Sequence, residues 1–413
     1  MMPVPGRCGA GTGRPWARFA VLLLVAGLTV LGGWGRVSAA GTDQAAAPAP
    51  EETASWVQEQ LEGLDLHALQ EKARQLQQEL GRPVPGLDWE ALRSQPLSGG
   101  LLEPRAALQA LAGYLLRELW GNAVLLVQLV VLAVLLAFLE NLAQALGPRS
   151  FQEAAFLVAY LALALLALGS FQKVLAFVDR SIQDMVGLVQ ALVPAFGSLL
   201  MAAGSISGSV FISPLILAVL GLLGQVVSTV VLPLFMVAAV LGLMGHLSEH
   251  FPLGRLAGLA RQAGLIILGL AFTSLLGVLL VRGATAPVVD TVSIRSGKFM
   301  LKLVPVVGSM FADSLEVVAG YTQLARGLVG AFAMGVIFFL SAMPVLKTVA
   351  LLFVYRLTGA LLQPLANPRL SKALGEMEGA LLFLAITTGV VAILTLISLS
   401  MLAGVGSLAN GWR

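Results

Sequence analysis

An all-α, polytopic integral membrane protein is the fold class this sequence predicts, and three observations predict it. Hydrophobic residues fill 58% of the 413 positions and charged residues only 11%, whereas globular chains carry about half and about a quarter. Mean hydropathy is +0.89. Apolar runs long enough to cross a bilayer recur at Ala123–Leu139, Ala154–Gly169, Val210–Gly245, Gly264–Val281, Gly327–Leu362 and Leu381–Ala403. A chain this poor in charge cannot cover a water-facing surface, so most of it must face lipid. That excludes a soluble enzyme, a nucleic-acid binder and a disordered scaffold.

The leading segment, residues 1–39, reads as a signal peptide. Arg7, Arg14 and Arg18 precede an apolar core from Phe19 to Leu31, and Val37-Ser38-Ala39 supplies small residues for cleavage. An uncleaved anchor helix is the alternative, although the core is shorter than the roughly 20 residues a span needs. The net charge of +3 is local to this segment: removing its four arginines, Arg36 included, leaves 21 bases against 22 acids. Cys8, the single cysteine, also lies there, so a cleaved chain has no thiol for a disulfide or a metal.

Residues 40–120 form an acidic, helical, extracytoplasmic region. Val57, Leu61 and Leu64, then Leu66, Leu69, Ala73, Leu76 and Leu80, recur every three or four positions and make one helical stripe, which Gly81-Arg82-Pro83 stops. This small portion folds on itself, on the membrane rim or on a partner.

Residues 121–413 form the multi-span domain, starting with two lead helices in 123–169. The runs Val210–Gly245 and Gly327–Leu362 exceed one span, and each is expected to fold as two helices with a tight turn, with Pro233 and Pro344 inside them. The rest compares with itself. Asp179 stands 15 residues before Pro194 in Leu-Val-Pro-Ala-Phe-Gly-Ser, and Asp290 stands 15 before Pro305 in Leu-Val-Pro-Val-Val-Gly-Ser, at an offset of 111; Pro233 maps onto Pro344 at that same offset. This suggests an internal duplication, 179–281 and 290–403. Three spans per copy would make the copies inverted and give eight spans in all. That count places Arg282, Arg295, Lys298 and Lys302 in the cytoplasm with Arg149, Arg369 and Lys372, as the positive-inside tendency favours. Four spans would make the copies parallel.

Two kinds of site residue stand out. Pro194, Gly197, Pro305 and Gly308 are candidates for helix breaks or gating, since broken backbone at membrane depth usually lines protein or water; alternatively these prolines begin interfacial helices. Asp179, Asp290, Lys298 and Asp313 are candidate polar or ion-pair positions, because ionisable groups at that depth pair or face a cavity; alternatively they sit at the aqueous rim. Gly204-Ser205-Ile206-Ser207-Gly208-Ser209 lines a cavity or connects two helices. His246-Leu247-Ser248-Glu249-His250 fits H-x-x-E-H, but Phe251-Pro252 truncates the helix and no further acid stands near to complete a zinc site. No catalytic residue, metal or cofactor is expected, and the chain is read as non-enzymatic.

Lys298-Phe299, Val304-Pro305-Val306-Val307-Gly308, Met310-Phe311 and Asp313, with Tyr355-Arg356 and Gln363-Pro364-Leu365 further on, resemble the signature stretches of the stage III sporulation protein AE family over about residues 100–410. The resemblance implies a multi-pass protein of the mother-cell-derived outer forespore membrane. Its expected partners are the other stage III sporulation A membrane proteins and, through them, stage II sporulation protein Q, in a channel or secretion-like assembly; no catalytic residues carry over. A solute transporter rocking two inverted repeats is the alternative function.

Overall fold

The computed structural model describes residues 66–81, 87–89, 104–146, 149–202, 213–245, 253–302, 307–362 and 368–404. The signal segment, the His246–His250 string, the Gly204–Ser209 segment and Pro305 lie outside the described residues. The helices are α1 (His67–Leu80), α2 (Pro104–Gly121), α3 (Ala123–Leu146), α4 (Arg149–Ala202), α5 (Ser213–Val226), α6 (Leu232–Met244), α7 (Leu253–Lys302), α8 (Val307–Leu362) and α9 (Pro368–Gly404). Among the described residues six helices are long and apolar enough to cross a membrane. The chain is a polytopic helical membrane protein.

Among the described residues both 36-residue runs are continuous rather than hairpins. α8 passes straight through Pro344, and α5 joins α6 through one π turn, Val227–Val231, with Pro233 in the first turn of α6. Neither run contains a polar turn sequence, and a tight turn inside lipid would strand backbone polar groups. The proline ring clashes with the carbonyl four residues back. The π turn ends two residues before Pro233 and widens the backbone where that clash would fall.

The lead helix α4 is longer than expected: it runs from Arg149 through Asp179 and Pro194 to Ala202 in 54 residues. Cross-helix contacts give its neighbours' directions. Tyr160 donates to the Leu243 carbonyl (2.6 Å) and Ser228 to Asp179 (2.5 Å), so α5 and α6 run antiparallel to α4. Ser170 bonds Tyr355 and Lys347 sits 4.4 Å from the Phe177 ring centroid, so α8 is antiparallel to α4 as well. α7 returns antiparallel to α6, with Gly245 against Gly254 and Phe235 against Gly264. α9 returns antiparallel to α8, with Ala403 near Arg326 and Glu378 near Arg356.

Two expectations are thereby corrected. α5–α6 and α8 point the same way, as do α7 and α9, so the described helices of the two matched stretches are parallel and not inverted. Arg282 lies 21 residues beyond Arg261 on α7, about 32 Å along the axis, while Arg261 pairs with Glu376, four residues from Lys372. The Arg282–Lys302 stretch therefore leaves from the end of the bundle opposite Lys372. Once each long run is a single helix, the three-span count that put them together fails.

The described part of the stripe read from sequence holds, with Leu66, Leu69, Ala73, Leu76 and Leu80 all buried; Val57, Leu61 and Leu64 lie outside the described residues. Gly81 ends α1 in the left-handed conformation, φ +65°, and its N–H donates to Gln77 and Gln78 carbonyls. α1 packs on α8, α2 and α4, so this part folds against the membrane domain.

Candidate functional site: a polar belt across the apolar bundle

Halfway along α4 the apolar packing is interrupted by side chains that bond between helices. Asp179 accepts from the Ser228 hydroxyl at 2.5 Å, and the Gln183 amide donates to Ser228 at 2.7 Å. Ser228 stands inside the π turn, a backbone feature often found at functional positions. The turn aims a serine on α5–α6 at an aspartate on α4.

One face round, Lys347 of α8 approaches Glu118 of α2 at 3.5 Å and lies over the Phe177 ring. A lysine in an apolar helix needs such a counter-charge and a ring face to offset lost hydration. Next to it Lys72 of α1 pairs with Asp184 of α4 at 2.8 Å. A cavity of about 160 Å³ lies beneath α1, bordered by Lys72, Gln75, Glu79, Phe177, Arg180 and Asp184. Arg117 closes the group by donating to the last carbonyls of α1, Glu79 at 2.7 Å and Leu80 at 3.0 Å. These carbonyls have no partner within their own helix.

Three further polar contacts flank the belt. Arg261 pairs with Glu376, and Arg356 stands 3.5 Å from Glu378, both on the side of the belt toward the start of α4. On the other side Arg326, 1% exposed, donates from Nε and Nη2 to the Ala403 carbonyl at 3.0 and 2.9 Å. It therefore caps the C-terminus of α9, where a cation also meets the negative end of the helix dipole. Its Nη1 has no partner among the described residues.

Of the residues chosen from sequence, Asp179 lies in this belt. Pro194 and Gly197 lie within α4, which does not break there; exposed Pro194 turns away from the core while Phe196 is fully buried. Gly308 is the second residue of α8, Asp313 lies further along α8, and Asp290 and Lys298 lie on α7; their side chains fall outside the described part. Sequence reasoning missed Ser228, Glu118, Lys347 and Arg326. Lys347 had a usable signal, a lone cation between Gly327 and Tyr355. Arg326 was passed over because it abuts an apolar run and reads as its rim.

Residues 91–406 match the family described as stage III sporulation protein AE. The chain belongs to that family. It is also 27% identical over 392 residues, 95% of this chain and 98% of the relative, to stage III sporulation protein AE of Bacillus subtilis (strain 168). No solved structure matches the chain. The family match covers α2 to α9 and hence every helix of the belt except α1. As a stage III sporulation protein AE family member, the chain has a role in sporulation.

Proposed function

We propose that this protein is a non-enzymatic membrane subunit of the channel or secretion-like assembly that joins mother cell and forespore. It works in the outer forespore membrane, with a cleaved signal segment and with α1 on the extracytoplasmic side. The observation that carries this reading is the collinear family match from residue 91 to 406. The belt supports a platform role, because Asp179, Lys347 and Asp184 are each engaged with another helix rather than grouped round one point. Its partners are the other stage III sporulation A membrane proteins and, through them, stage II sporulation protein Q. No cofactor takes part.

Co-purification from sporulating cells tests this: the other stage III sporulation A proteins are expected with this chain. A deletion strain that forms spores at the normal frequency would contradict it. Saturable solute uptake by vesicles holding this chain alone would favour a transporter instead.

A further inference from the structure

Two helices are too long for the bilayer they enter. The apolar part of α4, Phe156–Met201, has 46 residues and that of α8, Ala325–Leu361, has 37; at 1.5 Å per residue these reach about 69 and 55 Å. The hydrocarbon core is about 30 Å thick, and even a tilt of 40° lengthens the path only to about 40 Å. A large part of each helix must stand outside lipid although most of its residues are apolar.

α1 indicates which part. Its outward face carries Glu71, Arg74, Gln75, Gln78 and Glu79, a face acyl chains cannot solvate. It docks beside Phe177, Ser181 and Asp184 of α4 and Leu340 and Met343 of α8. α2 and α3 locate the boundary. Arg117 and Glu118 are followed by Trp120, 80% exposed, a residue type enriched at bilayer interfaces. Below it α3 turns Val124, Val127, Val131 and Phe138 outward. Residues 121–139 hold no charge, nor do residues 154–172 of α4; each stretch is 19 residues, about 28 Å.

Exposure changes character at this same level. α4 turns Leu157, Val158 and Leu165 outward before Lys173, but Arg180, Gln183, Gly187, Ala191, Pro194 and Ser198 after it, with Met201 the large apolar group outward near its end. On α8 every residue from 332 to 341 is buried, while Phe353, Leu357 and Leu361 are exposed. Most large apolar groups face outward where lipid can meet them and inward where water would; Leu108 and Leu116 of α2 and Met201 near the end of α4 are outward exceptions. Arg356 falls next to the boundary, because its neighbour Tyr355 bonds Ser170.

We propose that on the flank formed by α1, α2, α4 and α8 the bilayer surface runs at the level of Trp120 and Lys173, so that the half of the bundle carrying α1 and the polar belt stands in water. The opposite flank keeps Leu217, Leu222 and Leu280 outward and is not part of this assignment. Only the compartment this aqueous half faces rests on the proposed function.

Single cysteines in a Cys8→Ser background test the boundary, with a membrane-impermeant maleimide applied to right-side-out and inside-out vesicles. Ala191→Cys and Ser198→Cys are expected to label at least about tenfold faster than Val131→Cys, Val158→Cys and Leu165→Cys in one orientation, since lipid excludes the reagent. All five should label equally in denaturing detergent. If Ala191→Cys and Ser198→Cys are as protected as Leu165→Cys in both orientations, the boundary is wrong. If they label only from the cytoplasmic side, the boundary stands and the extracytoplasmic placement of α1 falls.

Discussion

The two matched stretches, α5 to the start of α7 and the span-length parts of α8 and α9, have the same apolar character but different surroundings. In the second stretch 72% and 67% of the strongest apolar windows are buried inside the protein, against 44% and 22% in the first. The second pair is the centre of the bundle and the first is an outer wall. Their polar residues diverge accordingly. Arg326 and Gly330 of the inner pair correspond, at the offset of 111, to Leu215 and Val219 of the outer pair. Ser228 of the outer pair corresponds to Phe339. The inner pair is tied by a buried guanidinium and close backbone approach, and the outer pair by an Asp–Ser contact across a π turn. Equal hydropathy therefore does not mean equal role: in lipid an apolar side chain is content outside or inside, and shape and polar contacts decide.

Swapping residues between the pairs should break this contrast. The largest effect is expected from Arg326→Leu, which gives the inner pair its outer counterpart. Losing the cap on Ala403 and the packed stem should cost about 2–4 kcal/mol, read as a fall in unfolding midpoint of the detergent-solubilised protein. Leu215→Ala on the outer pair should cost clearly less, and equal losses would erase the distinction. Next comes Gly330→Val. A Cβ there would lie 2.5 Å from the Ala403 Cβ, so over-packing should cost about 1–3 kcal/mol by the same measurement.

Ser228→Ala sharpens the outer side of the comparison. It removes the Asp179 contact at a partly buried position and should cost about 1 kcal/mol, with sporulation frequency reporting whether the π turn also matters to function. Pro233→Ala should resemble it, since a restored N–H lets the helix regularise and turns Ser228 from Asp179; Pro344→Ala should leave the matching site unchanged. The smallest effect is expected from Lys72→Ala, about 0.2–1 kcal/mol for a half-exposed ion pair; a larger loss would mean α1 is held mainly by charge rather than by its leucine stripe.

Much of the fold was legible. The stripe Leu66–Leu80 and the stop at Gly81 follow from helical spacing and from glycine's access to positive φ. The apolar runs marked the spanning helices because burial in lipid depends on composition. Less of the belt was legible. Asp179 stood out as a carboxylate beside an apolar segment, but its partner Ser228 is an ordinary serine until a π turn rotates it. The hairpin expectation failed because proline at membrane depth reads equally as a turn or as a tolerated interruption, and only neighbouring helices choose.

The amino-acid order alone determined that this chain is helical, membrane-embedded and amphipathic near its start, because those properties depend on local spacing and on transfer of side chains out of water. Helix direction, which pair becomes the centre, and whether Arg326, Lys347 and Asp179 find partners were decided by tertiary packing. Those outcomes join residues 49 to 229 positions apart, as in Asp179–Ser228 and Lys347–Glu118, and no window along the chain contains both members.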